Sequence, residues 1–116
     1  MHCDLKLANI LIDVDSEDKI SSLKIADFGF AFLTTEIQEG GDDSKGTLRY
    51  AAPEMLYEEE KFDKRIDVWA LGIIIHEILT GKAPFHGASD GALADMIRDE
   101  DIDKDSDTWN TMSIDA

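Results

Sequence analysis

The stretch Ile66–Leu79, IDVWALGIIIHEIL, decides the fold of this chain. Ten of its fourteen residues are apolar and they fall on every side of a helical wheel, which is typical of a helix enclosed by protein. Asp63 is placed to cap the start of such a helix, and Gly81 followed by Pro84 is placed to end it. The sequence therefore predicts a buried central helix over about residues 64–80.

Two other structures were weighed for this apolar stretch. The three isoleucines 73–75 are also typical of a buried strand, but the capping and ending signals favour a helix. Asp67, His76 and Glu77 interrupt the stretch, and its uncharged run is far shorter than the roughly 20 residues that a membrane-spanning helix needs. We therefore expect the helix to belong to a protein core and not to a membrane.

Composition limits the classes of function. The 116 residues are 43% hydrophobic and 32% charged, which indicates one modest folded domain. The formal charge of −15 argues against binding to nucleic acids or anionic membranes. The single cysteine, Cys3, excludes an internal disulfide, and the chain does not open with a signal-peptide pattern. We expect a cytoplasmic or nuclear protein.

A β-hairpin is predicted near the start of the chain. Two short runs, residues 10–12 and 23–25, are rich in β-branched side chains, and an acidic segment separates them. If Ile10 opposes Ile25, and residue 12 likewise opposes residue 23, Asn9 lies beside Ala26 and next to Asp27. This register would bring two side chains with oxygen ligands together at one end of the hairpin.

The remaining segments have weaker signals. The turn-rich residues 39–47 predict a mobile connection, and residues 51–56 a short helix with Pro53 in its first turn. Ser89 or Asp90 can cap an amphipathic helix whose apolar side chains recur at helical spacing, namely Leu93, Met96 and Ile97. Residues 99–116 hold seven acids and one lysine, and we expect a poorly fixed acidic tail there.

Four motifs in order resemble those of eukaryotic-type protein kinases. Residues 2–9, HCDLKLAN, are similar to the catalytic loop H-R-D-L-x-x-x-N. Residues 27–29 match D-F-G, residues 52–54 match A-P-E, and residues 67–72 resemble the central-helix pattern D-x-W-x-x-G. The resemblance implies an α+β fold, a protein-kinase-like piece of the large lobe over residues 1–98. It would be mainly helical around a buried central helix, with one β-hairpin at the active site.

The resemblance implies transfer of the ATP γ-phosphate to a protein hydroxyl. Asp4 would be the catalytic acceptor of the substrate hydroxyl proton, and Lys6 would sit against the γ-phosphate. Thr47 would hydrogen-bond both of these side chains. The combination of Lys6 with Thr47 is that of serine/threonine kinases, and the wording LKIADFGFA is most similar to the calcium/calmodulin-dependent type.

The resemblance also implies cofactor ligands. Asn9 and Asp27 would hold Mg²⁺, which prefers hard oxygen ligands and takes few of them from the protein. Leu11, with Ile10, Ile74 and Ile78, would stack beneath the adenine ring of ATP. Asp67 would bond the backbone of the catalytic loop and tie His2 to the central helix.

Several positions depart from the family pattern. Cys3 replaces the arginine that gathers a phosphate on the activation segment, and Asp43 occupies the position where many kinases are phosphorylated. Ala8 replaces an acid that kinases for basic substrates often carry, although Glu77 occupies another such acidic position. We expect activity that does not depend on phosphorylation of this segment, and leave the preference for basic peptides open.

The resemblance covers only part of a kinase domain. The 116 residues hold no Gly-rich loop, no strand lysine and no partner glutamate, and the helices that complete the large lobe are not among them. Met1 would then be an internal residue of a larger kinase. We expect its missing small lobe and large-lobe helices to be its partners, together with a protein substrate. Without these parts the central helix would expose apolar surface, so on its own the chain is expected to be marginally folded and inactive.

Two other functions were weighed against a kinase. A non-catalytic, kinase-derived fragment could act by binding the partners of an intact relative. An acidic cation-binding protein is the other, since residues 13–17 and 101–105 begin like a calcium loop. Both runs lack the glycine and the glutamate that such a loop needs, so solvated loops are favoured. His2 and Cys3 are interpreted as packed core residues rather than reactive groups.

Overall fold

The computed structural model describes residues 1–31, 33, 46–57 and 61–102, and the backbone of 38–39. Within these residues the strands are β1 (Ile10–Val14), β2 (Ile20–Ile25), β3 (Gln38–Glu39) and β4 (Lys61–Phe62). The helices are α1 (Arg65–Thr80) and α2 (Asp90–Asp99). Single 3₁₀ turns occupy Leu7–Asn9, Leu48–Tyr50 and Pro53–Met55. The described residues thus combine two helices with small antiparallel sheets.

The hairpin β1–β2 has the predicted register. Ile10 pairs with Ile25 and Ile12 with Leu23, while the register shifts after Asp13. In the connecting turn, Asp15 accepts the backbone N–H groups of residues 17 and 19 at 2.8 and 3.0 Å. The first acidic run therefore supplies a hydrogen-bond acceptor for the N–H groups of its own turn, which supports a solvated loop over a calcium site.

A second strand pair was not predicted. In it, β3 pairs antiparallel with β4, with Gln38 opposite Phe62 and Glu39 opposite Lys61. Two-residue strands carry no readable alternation of apolar and polar side chains, which is why no sequence pattern signalled them. The predicted mobile connection over residues 39–47 falls mostly on residues 40–45, which lie outside the described residues.

The bounds of α1 agree with the prediction to within one residue. The helix begins at Arg65, whose N–H donates to the Asp63 carboxylate at 2.9 Å. It ends where Gly81 turns to a φ of 70°, a left-handed conformation that glycine adopts without a steric cost. The Gly81 N–H then donates to the carbonyl of Glu77 at 2.9 Å, which satisfies one of the last open carbonyls.

In this chain α1 is buried on one face only, and the apolar surface expected where the remaining large-lobe helices are missing is exposed. One face is fully buried, through Ile66, Ala70, Ile73 and Ile74. The opposite face is exposed: Val68 is 67% exposed and Ile78 65%, with Leu71 and Ile75 each at 48%. The described residues supply packing partners for one face only, so the sequence pattern of a surrounded helix is only half satisfied here.

Two clusters of buried side chains cover the inner face of α1, and Trp69 packs against both of them. The first contains Cys3, Ala52, Phe62 and Ile66, and the second contains Ile73, Phe85 and Ile97. The rings of Trp69 and Phe85 stack with centroids 6.2 Å apart. The helix therefore joins the N-terminal loop to the C-terminal part of the chain.

The helix predicted over residues 51–56 is shorter than expected. Ala51 and Ala52 are extended, and only Pro53–Met55 form a helical turn. Pro53 is at the first-turn position as predicted, but a proline disfavours helical geometry at the residue before it, and so Ala52 stays extended.

The amphipathic helix α2 is confirmed. The Ser89 hydroxyl accepts the N–H of Ala92 at 3.3 Å and so caps its start. Ala94 and Ile97 are buried, while Leu93 and Met96 are half-buried. Residues 103–116, most of the predicted acidic tail, lie outside the described residues. Neither helix of the described part of the chain has the length and apolar character needed to cross a membrane.

Candidate functional site

The loop of residues 2–9 is held by the first turns of α1. The Asp67 carboxylate accepts the backbone N–H of His2 at 2.7 Å and that of Cys3 at 3.0 Å. Both bonds are those implied by the family resemblance. Cys3 is buried and adopts a φ of 66°, so the chain turns sharply just before Asp4. The helix thus fixes the position of the loop residues next to Asp4.

Asp4, Lys6 and Thr47 form a closed triangle of hydrogen bonds. The Lys6 ammonium donates to Asp4 Oδ2 at 2.7 Å and to the Thr47 hydroxyl at 3.1 Å. The Thr47 hydroxyl in turn donates to Asp4 Oδ1 at 2.9 Å. Three polar side chains that are up to 43 positions apart in sequence thus meet around one carboxylate.

The triangle keeps Asp4 in its charged form. Burial by itself would raise the pKa of this carboxyl, because its side chain is only 3% exposed. The hydrogen bonds from Lys6 and Thr47, together with the positive charge of Lys6, outweigh burial and lower the pKa below the ordinary 3.8. At neutral pH the group is a carboxylate, which can accept a hydrogen bond from an incoming hydroxyl.

Gly46 brings the segment containing Thr47 close to this loop. Its φ is 81°, and a Cβ atom at this position would lie 2.6 Å from the carbonyl oxygen of Cys3. Any larger residue would therefore push residues 46–47 away from Asp4. The contact explains why glycine precedes the threonine in the sequence Gly46-Thr47.

Asn9 is the next polar residue along the loop. Its side-chain amide nitrogen donates to the backbone oxygen of Asp4 at 2.9 Å and lies 3.4 Å from Asp4 Oδ2. The Asn9 backbone oxygen accepts the N–H of Ala26 at 2.8 Å, which places the end of the hairpin beside the loop. The predicted neighbourhood of Asn9 and Asp27 therefore follows from an observed hydrogen bond.

Asp27 follows Ala26 in a left-handed conformation, with a φ of 62°. Its Oδ1 accepts the N–H of Gly29 at 3.2 Å. The next residue, Phe28, packs its ring against His2 with centroids 4.8 Å apart, and His2 Nε2 lies 3.1 Å from the Ala26 oxygen. His2 is thus the buried, packed histidine that the sequence predicted, and it links the loop to residues 26–28.

The donor set at the hairpin end fits magnesium. With its amide nitrogen engaged by Asp4, Asn9 keeps its side-chain oxygen for a ligand, and Asp27 is exposed. Among the described residues no cluster of three or more acidic, histidine or cysteine side chains could hold a metal by itself. Mg²⁺ suits such a sparse site, since it is usually bound by one or two protein oxygens plus phosphates and water.

The residues predicted to face adenine differ in accessibility. Leu11 and Ile78 are 56% and 65% exposed and offer open apolar surface, and Ile10 is half-buried. Ile74 is only 2% exposed and belongs to the core, so it supports the site from within. Contact of these four side chains with a nucleotide stays a prediction.

The surroundings of Glu77 were not predicted. Its carboxylate accepts the hydroxyl of Tyr50 at 2.7 Å and lies 3.7 Å from the guanidinium of Arg49. Burial, followed by the nearby Glu77, raises the pKa of Tyr50. No sequence signal marked Tyr50 or Arg49 as partners of Glu77, because the contact joins segments 27 residues apart. Asp43, at the position where many kinases are phosphorylated, lies outside the described residues.

The chain is similar to known proteins over its whole length. The family model "Protein kinase domain" matches residues 1–116. Similar proteins include calcium-dependent protein kinase 33 of Arabidopsis thaliana, 36% identical over 118 residues, and calcium-dependent protein kinase 5 of Plasmodium berghei, 36% identical over 116. Calcium/calmodulin-dependent protein kinase type 1B of Homo sapiens is 37% identical over 118 residues. Each alignment covers 100% of this chain, but only 21%, 20% and 32% of the three relatives, respectively.

Proposed function

Because this chain belongs to the protein kinase family, we propose that it is the part of a serine/threonine protein kinase that positions the acceptor hydroxyl. The observation that carries the proposal is the triangle of Asp4, Lys6 and Thr47 around one buried, ionised carboxylate. The pairing of lysine with threonine and the names of the relatives support serine or threonine as the acceptor.

Asp4 orients the incoming alcohol by accepting a hydrogen bond from its O–H group. In a loose phosphoryl-transfer transition state the hydroxyl keeps its proton until late, so a carboxylate with a lowered pKa aims the oxygen more than it activates it. Asp4 receives the proton as the new oxygen–phosphorus bond forms. Thr47 and Lys6 hold the carboxylate in place throughout this step.

Lys6 has a second role on the same side of the site. Its side chain is 24% exposed, so its ammonium can contact a phosphate while it remains bonded to Asp4. A positive charge here stabilises the negative charge on the oxygens of the phosphoryl group in the transition state. Asn9 and Asp27 would hold Mg²⁺, and Leu11 would lie against the adenine ring. ATP, when bound, supplies the phosphoryl group.

We further propose that these 116 residues need the rest of a kinase domain for activity. The chain spans about a fifth to a third of the length of the curated relatives it matches. Its sequence holds no Gly-rich loop to cover phosphates, and both α1 and the hairpin expose apolar side chains. A small lobe and further large-lobe helices are therefore the proposed partners. The cytoplasmic or nuclear location stays a prediction from the sequence.

A hybrid kinase tests the proposed function. In it, residues 1–116 replace the aligned segment of human calcium/calmodulin-dependent protein kinase type 1B, and phosphate transfer from ATP to serine, threonine and tyrosine peptides is measured. We expect transfer to serine and threonine that falls about a hundredfold or more in Asp4→Asn, the range of general acid–base contributions. The control Asp99→Asn, at the exposed end of α2, should retain activity.

Binding of Mg·ATP separates chemistry from folding in this test. The hybrid kinase and Asp4→Asn should both show a rise in melting temperature on adding Mg·ATP, because Asn9 and Asp27 are intact in both. A hybrid that folds and binds Mg·ATP but shows no Asp4-dependent transfer would overturn the proposal.

A binding role is the second candidate, favoured by the exposed apolar face of α1. Val68 and Ile78 on this face are each about two-thirds exposed, which is unusual for helix residues of a monomer without a partner. If the chain acts by binding, the 116 residues should fold by circular dichroism and bind the isolated remainder of the human kinase. If the 116 residues neither fold nor bind the remainder of the human kinase, the binding role is excluded.

A further inference from the structure

A cavity of about 360 Å³ opens beside the loop of residues 2–9. Leu7 of this loop lines it together with Arg49, Glu77, Lys82 and His86. Such a volume is within the range of sites that hold small ligand groups. Its position follows from the chain: Leu7 is three residues from Asp4, and Arg49 is two residues from Thr47, which bonds Asp4.

The cavity lies within reach of a bound peptide. The Cα atoms of Arg49 and Thr47 are at most about 7 Å apart, since two peptide units separate them. An extended peptide advances roughly 3.3–3.6 Å per residue. A side chain a few residues away from an acceptor hydroxyl at Asp4 can therefore enter the cavity.

Positive side chains outnumber negative ones in the cavity. The side chain of Glu77 is 8% exposed, and its carboxylate accepts the Tyr50 hydroxyl and lies 3.7 Å from the Arg49 guanidinium. Arg49 itself is 52% exposed, so its guanidinium can contact a further group. The Lys82 ammonium and the His86 ring have no ion-pair or hydrogen-bond partner among the described residues, and both residues are exposed.

Arg49 and Lys82 thus outnumber the one carboxylate of the cavity, that of Glu77. With His86 neutral the cavity has a net charge of about +1, on a chain whose formal charge is −15. A basic side chain entering the cavity would lose water and meet the like charges of Arg49 and Lys82. A negatively charged group would meet two cations without displacing any bond.

We infer that this cavity receives an anionic side chain of the protein substrate, a carboxylate or a phosphate, a few residues from the acceptor hydroxyl. The inference deepens the proposed function and rests on it. It also bears on the preference for basic peptides that the sequence left open, because Arg49 lies 3.7 Å from the Glu77 carboxylate and, with Lys82, would repel a basic substrate side chain.

Peptide series with the hybrid kinase test this specificity. Around a serine acceptor, each of five positions on either side carries in turn alanine, aspartate, phosphoserine or lysine, and kcat and KM are measured. At one position or more, we expect aspartate to raise kcat/KM about fivefold over alanine, mainly through KM, the upper end for a partly exposed ion pair. Phosphoserine should exceed aspartate because its charge is close to −2, and lysine should fall below alanine.

Charge variants then locate the effect in the cavity. Lys82→Gln should bring the aspartate-to-alanine ratio of kcat/KM close to one, and Lys82→Glu should make lysine the preferred residue at the same position. The matched control Lys19→Gln, in the exposed turn of the hairpin, should leave the ratio unchanged. A response to phosphoserine without one to aspartate would identify phosphate alone as the ligand.

The outcomes separate this inference from the proposed function. If the alanine peptide is phosphorylated and no anionic peptide is better, the inference fails and the proposed function stands. If the hybrid transfers no phosphate, a second variant tests the inference. In it, human kinase type 1B receives arginine, lysine and histidine at the positions aligned with 49, 82 and 86. This variant should gain preference for anionic peptides over alanine, and an unchanged preference would overturn the inference.

Discussion

The carboxylate of Asp67 lies 2.7 Å from the backbone nitrogen of His2, a residue 65 positions earlier in the chain. Its second oxygen accepts the next N–H, that of Cys3, at 3.0 Å. One side chain in the first turns of α1 thus accepts hydrogen bonds from two successive backbone N–H groups of the loop that carries Asp4. The geometry of the proposed active site depends on a residue that touches neither substrate nor cofactor.

Replacing Asp67 should therefore destabilise the fold. Asp67→Ala leaves two partly buried N–H groups without acceptors, and we expect the free energy of unfolding to fall by about 2–5 kcal/mol. Asp67→Asn keeps one acceptor oxygen and should lose less. Urea unfolding of the hybrid kinase measures both, with Asp99→Ala as the exposed control. Equal stabilities of Asp67→Ala and the control would contradict the role of these bonds.

The Thr47 hydroxyl should be needed for catalysis more than for stability. It donates to Asp4 and accepts from Lys6, so Thr47→Val, similar in shape, removes both bonds, whereas Thr47→Ser keeps them. Hydrogen bonds to charged groups contribute about 1.5–3 kcal/mol, so kcat should fall about tenfold or more in the valine variant. Steady-state kinetics of the hybrid kinase at saturating ATP measures this. A serine variant as slow as the valine variant would exclude the hydroxyl as the cause.

The lowered pKa of Asp4 predicts a specific dependence of stability on pH. A carboxyl whose pKa is lower in the folded state stabilises the fold above its ordinary pKa of 3.8, and loses this contribution as pH falls through the lower folded value. The difference in unfolding free energy between the hybrid kinase and Asp4→Asn should be constant from pH 5 to 8 and should change only below about pH 4. A change in this difference centred near pH 6 would show that the carboxyl is not held in its charged form.

Two glycines should respond to alanine in opposite directions. At Gly46 a Cβ would lie 2.6 Å from the Cys3 oxygen and φ is 81°, so Gly46→Ala should destabilise the fold by about 1–3 kcal/mol and lower activity. At Gly72, inside α1, nothing lies within 4 Å of a Cβ, and alanine should stabilise the helix by about 0.5–1 kcal/mol. Thermal unfolding of both variants measures these two changes in stability. A stabilising Gly46→Ala would show that the contact between residues 46 and 3 is not maintained.

Local signals in the sequence predicted the elements that rest on local physics. The bounds of α1 followed from Asp63 and Gly81, and the cap of α2 from Ser89, because capping involves residues a few positions apart. The hairpin register followed from matching apolar residues across a turn. The family resemblance supplied the bonds of Asp67 and Thr47, which no spacing rule contains.

The features that sequence reasoning missed depend on contacts between distant segments. The bond between Tyr50 and Glu77 and the pairing of β3 with β4 join residues whose own patterns are unremarkable. The apolar wheel of α1 predicted a surrounded helix, yet burial is a property of neighbours, and the described residues cover only one face of it. A pattern of side chains records what a helix can bury, and its partners determine what it does bury.

The uncovered face of α1 has a consequence for how the polypeptide is handled in a cell. Val68, Leu71, Ile75 and Ile78 form the kind of accessible aliphatic surface to which holdase chaperones bind during synthesis. We therefore expect the newly made chain to depend on chaperones for as long as this face stays uncovered.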